Sequence, residues 1–183
     1  MEEFKKLSEV HKSDIRNSYW VLMNKDTGKQ KSMTLDDVHN NVSCIELKEE
    51  VPDEIKSQFN IAKNLHVYSW FSYSFHQISE MKAYSTVEYA LKDKFGDHRC
   101  GFKKLLKKAI KKGLIKDSGF RHIDTQDSNS IEYSLGLVEI MPSLRNSLSH
   151  GSNTLHNQSA ITLSICCDLI NQLFKSSMER SIL

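Results

Sequence analysis

The chain is poor in the residues that interrupt helices: two prolines and seven glycines in 183 residues. That scarcity argues against a many-stranded sheet with frequent tight turns and favours long helices. No apolar run approaches the length needed to span a bilayer. The opening segment MEEFKKLSEV has no apolar signal core, so the cytoplasm is the expected location. Neither sign of charge dominates, since the net charge is +2; the whole protein is no polycation, and any basic surface must be local. The four cysteines, Cys44, Cys100, Cys166 and Cys167, include no CxxC pair. Cys166 and Cys167 lie in the apolar run ITLSICCDLI. As neighbours on a helix they point to different sides, and they read as small core residues rather than ligands or nucleophiles. His98, Cys100 and His122 match no zinc spacing, and Gly28-Lys29 lacks the glycine-rich run of a phosphate loop. No metal and no other cofactor is expected, and no internal repeat is visible.

What is present is helical periodicity. Residues 1–18 read as a short amphipathic helix or a loose arm. The segment YWVLMNKDTGKQKSMTL places apolar and β-branched residues around the turn-forming Lys25-Asp26-Thr27-Gly28, which predicts a small hairpin at about 19–35. Residues 36–47 are irregular or hold one more short element. Pro52, followed by Asp53 and Glu54, then opens the helical body. Ile55, Phe59, Ala62 and Leu65 follow at helical spacing, predicting a helix over about 53–72. A second helix is predicted over Phe75–Phe95, stopped by Gly96.

The third, Phe102–Lys112, is sharply divided. Phe102, Leu105, Leu106, Ala109 and Ile110 form one stripe; Lys103, Lys104, Lys107, Lys108, Lys111 and Lys112 form the other. A polar loop at 116–129 leads to a fourth helix over about 130–141, expected to bend or restart at Pro142 and run on to Gly151. Ser152 or Asn153 is placed to cap a final helix reaching about 176. The expected fold is all-α: a bundle of four to five helices over 51–183, with a hairpin-containing appendage over 1–50.

The segment Leu144-Arg145-Asn146-Ser147-Leu148-Ser149-His150-Gly151 carries the chemistry. Leu144 and Leu148, four apart, are expected to anchor it to the core. Asn146 and His150 are also four apart and share a face, so the Asn amide oxygen is placed to accept from the imidazole. Arg145 and His150 are five apart, about 140° around an ideal helix. They converge on one ligand where the helix end distorts. A guanidinium beside an imidazole suits a phosphodiester: the first neutralises phosphate charge and the second moves a proton.

RNSLSH resembles the signature of the HEPN superfamily of small all-helical RNA-binding and RNA-cleaving domains, an arginine and a histidine with four to six residues between them. Here the spacing is four, and Asn146 matches the polar residue that usually follows the arginine. Gly151 and a capped terminal helix follow, and QISEMKAYSTVEYALKDKFG is similar to the amphipathic second helix of these domains. The similarity covers roughly residues 51–178. It implies an all-α HEPN-like bundle acting as a metal-independent endoribonuclease. Two copies would pair across a two-fold axis, so that both motifs line one cleft and the ribose 2′-hydroxyl attacks its own phosphate. Arg145 and His150 would be catalytic, and Asn146 would orient or contact substrate. From its placement on the helix expected to face the motif, Glu88 is read as a supporting residue that pairs with Arg145, and Ser149 as a second supporting residue. The setting that the resemblance implies is a toxin or antiviral defence system with an antitoxin or defence-system partner. A non-catalytic HEPN-like module binding RNA, a nucleotide or a protein partner is the alternative.

Two further features carry more than one reading. The lysines at 103, 104, 107, 108 and 111 suit an RNA backbone or a plain solvated face. An anionic membrane suits them less, because the apolar stripe is three turns long and lacks Trp. Tyr68, Trp70, Phe71, Tyr73 and Phe75 suit core and dimer packing better than base stacking.

Overall fold

The computed structural model describes residues 3–151 and 157–175. Six α-helices are present among them: α1 (Leu35–Ser43), α2 (Asp53–Tyr68), α3 (Phe75–Phe95), α4 (Phe102–Lys111), α5 (Glu132–Ser149) and α6 (Ser159–Phe174). Two short strands, β1 (Val21–Met23) and β2 (Gln30–Ser32), pair antiparallel with Leu22 opposite Lys31. The protein is all-α with a small N-terminal hairpin.

The long helices enclose one core. Ile55 and Phe59 of α2, Val87 and Leu91 of α3, Leu105 and Leu106 of α4, Met141 of α5 and Leu163, Leu169 and Ile170 of α6 are all fully enclosed in it. Cys166 and Cys167 are buried there as free thiols, and burial pushes the Cys167 thiol up to about 11. That keeps it protonated and unreactive. α1 is the one more short element that the sequence allowed for over residues 36–47. Thr34 and Asp37 form a reciprocal capping box at its start, and Val42 and Ile45 enter the same core as the later helices. The helical body therefore takes in residues from before position 51.

The N-terminal arm is tied to the turn between α2 and α3. Asn17 Nδ2 donates to Trp70 O at 2.8 Å, and Lys5 Nζ donates to Phe71 O at 2.5 Å. Asp14 accepts from the Tyr73 backbone N–H at 3.1 Å and from the Nε and Nη2 of Arg16 at 2.8 and 2.7 Å. The aromatic turn is thus the arm's docking point. Tyr73 is buried beneath the Arg16 guanidinium, while Tyr68 and Phe75 remain exposed.

α2 ends at Tyr68, four residues short of the expected 72, because the chain turns there to receive the arm. α3 spans the predicted residues, and Gly96 closes it with φ of 60°. α5 begins two residues after the expected start and ends just before Gly151, as expected. It does not restart at Pro142; it is one continuous helix to Ser149, because Met141 and Leu148 bury on either side of the proline and carry the backbone across the missing N–H. Its start is capped from a distance. Asp117, in a short 3-10 turn of the loop, accepts from the Tyr133 and Ser134 backbone N–H groups at 3.1 and 2.9 Å and from the Ser130 and Ser134 hydroxyls at 2.6 Å. Ser152 and Asn153, expected to cap the last helix, lie outside the described residues, and α6 begins at Ser159.

Candidate functional site

The motif residues occupy the last turn and a half of α5. The buried face of that helix is set by Ser134, Leu137, Val138 and Met141. Arg145 follows Met141 by four residues and stays near that face, at the border with α3. There its Nη2 donates to Glu88 Oε2. Glu88 lies midway along α3, mostly enclosed, with its other carboxylate oxygen 2.9 Å from Lys92 Nζ. One carboxylate thus sits between two cations, leaving the cluster with a net positive charge. Arg145 Nη1 donates to Asn146 Oδ1 at 3.0 Å, and its Nε is buried with no partner among the described residues. The guanidinium is fixed along one edge by Glu88.

His150 lies elsewhere. It is the C-cap residue of α5, exposed, with its backbone N–H donating to Asn146 O at 3.0 Å. Its ring makes no hydrogen bond among the described residues. The Asn146 amide oxygen, expected to accept from that ring, accepts from Arg145 instead. The helix stays regular through the motif, so the roughly 140° between positions 145 and 150 is retained, and the expected distortion that would bring them together is absent. Ser149 Oγ donates to Arg145 O at 2.8 Å, a back-bond within the last turn. Leu148 packs against the core as expected. Leu144 does not: it is 43% exposed, next to Ile140 at 54%. Both stand one turn apart on the outer side of α5, because the core-facing arc is already filled by Met141 and Leu148. A single chain therefore holds Arg145 in a bonded position, leaves His150 open, and exposes two apolar side chains beside them.

The lysine face of α4 is solvent-facing where predicted, but its members are not equivalent. Lys103 pairs with Glu139 of α5 at 2.5 Å. Lys108 and Lys112 lie over the Phe95 ring at 4.5 and 5.5 Å. Lys104, Lys107 and Lys111 are exposed. The helix C-terminates at Lys111, and Gly113 follows with φ of 67°.

Among the described residues, no group of three or more His, Cys, Asp or Glu side chains is placed to hold a metal, and no helix is long and apolar enough to cross a membrane. Three polar constellations escape the sequence reading. One is Lys92 beside Glu88. Another is Arg121, whose Nε and Nη2 donate to Asp168 at 2.9 and 2.8 Å, fastening the polar loop to α6. The third is His66, His76 and Ser159 in the core. A signal for the third was present in the stripe Ile55, Phe59, Ala62: its next member by spacing is His66, a polar side chain at a core position. No protein-family model matches this chain, and no curated protein or solved structure is significantly similar to it.

Proposed function

We propose that this protein is a metal-independent endoribonuclease of the HEPN type whose cleft is completed by a second copy of the chain. The observation that carries the reading is the pinned Arg145. A guanidinium held by Glu88, one helical turn from an open histidine, is a preset anion-binding group beside a free proton-transfer group. Since the two leave α5 on different sides, one chain offers half a site. A second copy facing the same helix end sets the His150 of one chain toward the Arg145 of the other, and Ile140 and Leu144 supply apolar surface for that contact. The RNA backbone runs along the open lysines of α4, which packs against both α3 and α5.

In the reaction the ribose 2′-hydroxyl attacks the adjacent phosphorus. The bond to the 5′-oxygen breaks, and His150 moves a proton to or from the oxygens involved. Arg145 neutralises the charge building on the non-bridging oxygens. The products end in a 2′,3′-cyclic phosphate or its 3′-phosphate hydrolysis product. The family resemblance adds the setting: a cytoplasmic toxin or antiviral defence component with an antitoxin or defence-system partner. The separation of Arg145 from His150 favours a second reading, a non-catalytic module that binds RNA, a nucleotide or a protein partner.

Purified protein incubated with total RNA decides between them. The nuclease cuts equally with and without a chelator, and His150→Ala and Arg145→Ala each lower cleavage by about 10²–10⁴-fold while leaving the fold intact. RNA with its 2′-hydroxyls blocked binds and is not cut. Cleavage undiminished in His150→Ala, or lost on chelation in the unmodified protein, removes the nuclease reading. Binding without any cleavage leaves the module.

A further inference from the structure

A cavity of about 200 Å³ lies where the segment after α4 meets the end of α6, and the ribonuclease reading makes no use of it. Its polar wall is Lys116, Ser118, Gln172 and Lys175; Leu114 and Gly119 also face it, and no acidic side chain does among the described residues. The volume limits what fits. A water takes up about 30 Å³ of the liquid, so the cavity holds about seven units of that size. That is more than a bare phosphate needs, and it falls below the roughly 300–1,000 Å³ of sites for drug-sized molecules.

The Gln172 carboxamide is the fixed point of the wall. Its Oε1 accepts from the Lys116 backbone N–H at 2.9 Å, so turning the amide over would set two donors against each other. Its Nε2 is therefore held on the other side, enclosed and without a partner among the described residues. Gly119 lets the amide lie there, since a Cβ added at that position would fall within the Gln172 carboxamide. An enclosed N–H without an acceptor is costly. Of the other polar side chains on the wall, two are ammonium groups, which only donate.

The charges point the same way. Lys116 Nζ donates to Asn129 Oδ1 at 2.8 Å, a neutral partner that leaves its charge uncompensated. Lys175 follows the last residue of α6 and has no acidic partner among the described residues. A helix end favours a cation in its own right; the Gln172 donor has no such explanation. Asp117 lies between Lys116 and Ser118 in sequence, but its carboxylate is taken up by the Tyr133 and Ser134 backbone N–H groups and the Ser130 and Ser134 hydroxyls. Those four bonds also brace the turn that presents Lys116, Ser118 and Gly119, and a wall fixed in advance loses little freedom on binding.

We propose that this cavity binds a small phosphomonoester. The phosphate lies between the Lys116 and Lys175 ammonium groups and accepts from Gln172 Nε2, and a small uncharged body rests against Leu114. Two ammonium groups suit a dianion better than the single charge of a carboxylate, and the space beyond a phosphate calls for a body. The inference stands independently of the ribonuclease reading. The cavity adjoins the turn that caps the start of α5, and the 18 residues of that helix put His150 about 27 Å away along its axis.

Titration of the full chain with ribose 5-phosphate, inorganic phosphate and ribose, followed by nitrogen-15 NMR of the Gln172 side-chain amide, tests this. Ribose 5-phosphate shifts the amide resonances saturably and binds severalfold more tightly than inorganic phosphate, and ribose has no effect. Its affinity rises from about pH 5 to about pH 7, because the monoester gains its second charge at about pH 6. Gln172→Glu keeps the acceptor for the Lys116 N–H, loses the donor and repels the anion, so binding is lost. Lys116→Gln and Lys175→Gln each weaken it about tenfold. Should Gln172→Glu fail to fold, the two lysine variants and the Gln172 resonances of the unmodified chain still decide. The proposal is overturned by no binding, by Gln172 resonances unmoved at saturation, by equal affinity for inorganic phosphate, by a flat pH profile, or by lysine variants that bind like the unmodified chain.

Discussion

Helices α4 and α5 lie against each other, and they are finished in different ways. α4 divides cleanly: five apolar side chains are buried and its outer face is lysine, satisfied by water, by Glu139 or by the Phe95 ring. Nothing on that outer face asks for a partner. The C-terminal half of α5 is mixed. Met141 and Leu148 face the core, while Ile140 and Leu144 face solvent beside an unbonded histidine and a guanidinium whose Nε lacks a partner. A helix end that leaves apolar and polar groups unspent together is suited to an interface, and a helix end like that of α4 is suited to water or to a polyanion. The two surfaces accordingly predict different consequences of substitution.

The largest contrast is between Leu105 and Leu144. Leu105 is fully enclosed between α4 and the rest of the core, so Leu105→Ala leaves a cavity and costs about 2–5 kcal/mol of stability by denaturant titration. Leu144→Ala changes the stability of the single chain by about 0.5 kcal/mol or less, although both are leucines on neighbouring helices. If two copies pair through this end of α5, Leu144→Glu shifts light scattering at micromolar concentration from dimer to monomer. A chain that is monomeric before any substitution breaks the comparison, since Leu144 would then be an ordinary exposed apolar residue.

Next in size is the Arg145 anchor. Glu88→Gln removes the charge that holds the guanidinium and also releases Lys92. The expected cost is about 1.5–3 kcal/mol, the range for a hydrogen bond to a charged group. If Glu88 positions Arg145, the same variant lowers kcat in the cleavage assay more than it raises KM, and Glu88→Asp restores part of it. A stability loss with cleavage unchanged would make the pair a packing device.

How far the sequence reaches follows from the range of the interactions. α3 and α4 are legible to within a residue because their signals are local: an apolar stripe at helical spacing and a glycine at the end that takes a left-handed backbone without strain. α5 is less legible because its cap is remote. Asp117 precedes Ser134 by 17 residues, and no spacing rule ties a loop aspartate to a helix start so far along the chain. The motif itself, Arg145 to His150, stands out in the sequence, but its geometry does not. Whether position 145 reaches inward or outward depends on Glu88, 57 residues earlier. The cluster of His66, His76 and Ser159 is longer in range still, joining residues 83 and 93 apart. A buried histidine in the α2 stripe marks that something polar must answer it, and only the packing of three helices says what does.

The smallest effects belong to the lysine face, and they separate its members. Lys104 is exposed and has no acidic partner among the described residues, whereas Lys103 is already paired with Glu139. If α4 tracks an RNA backbone, Lys104→Glu weakens binding more than Lys103→Glu, because the Lys103 charge is partly neutralised before RNA arrives. Each phosphate contact removed lowers the slope of log affinity against log salt by about 0.7 for single strands, so the double change Lys104→Glu and Lys107→Glu lowers it by about 1.4. Glu139→Lys works in the opposite direction, freeing Lys103 and adding a cation, and strengthens binding at low salt. The difference between the variants fades as salt rises, because released counterions carry the effect. Equal affinities for all these variants at low salt would reduce the α4 surface to a solvated face, leaving the end of α5 as the functional surface of this pair of helices.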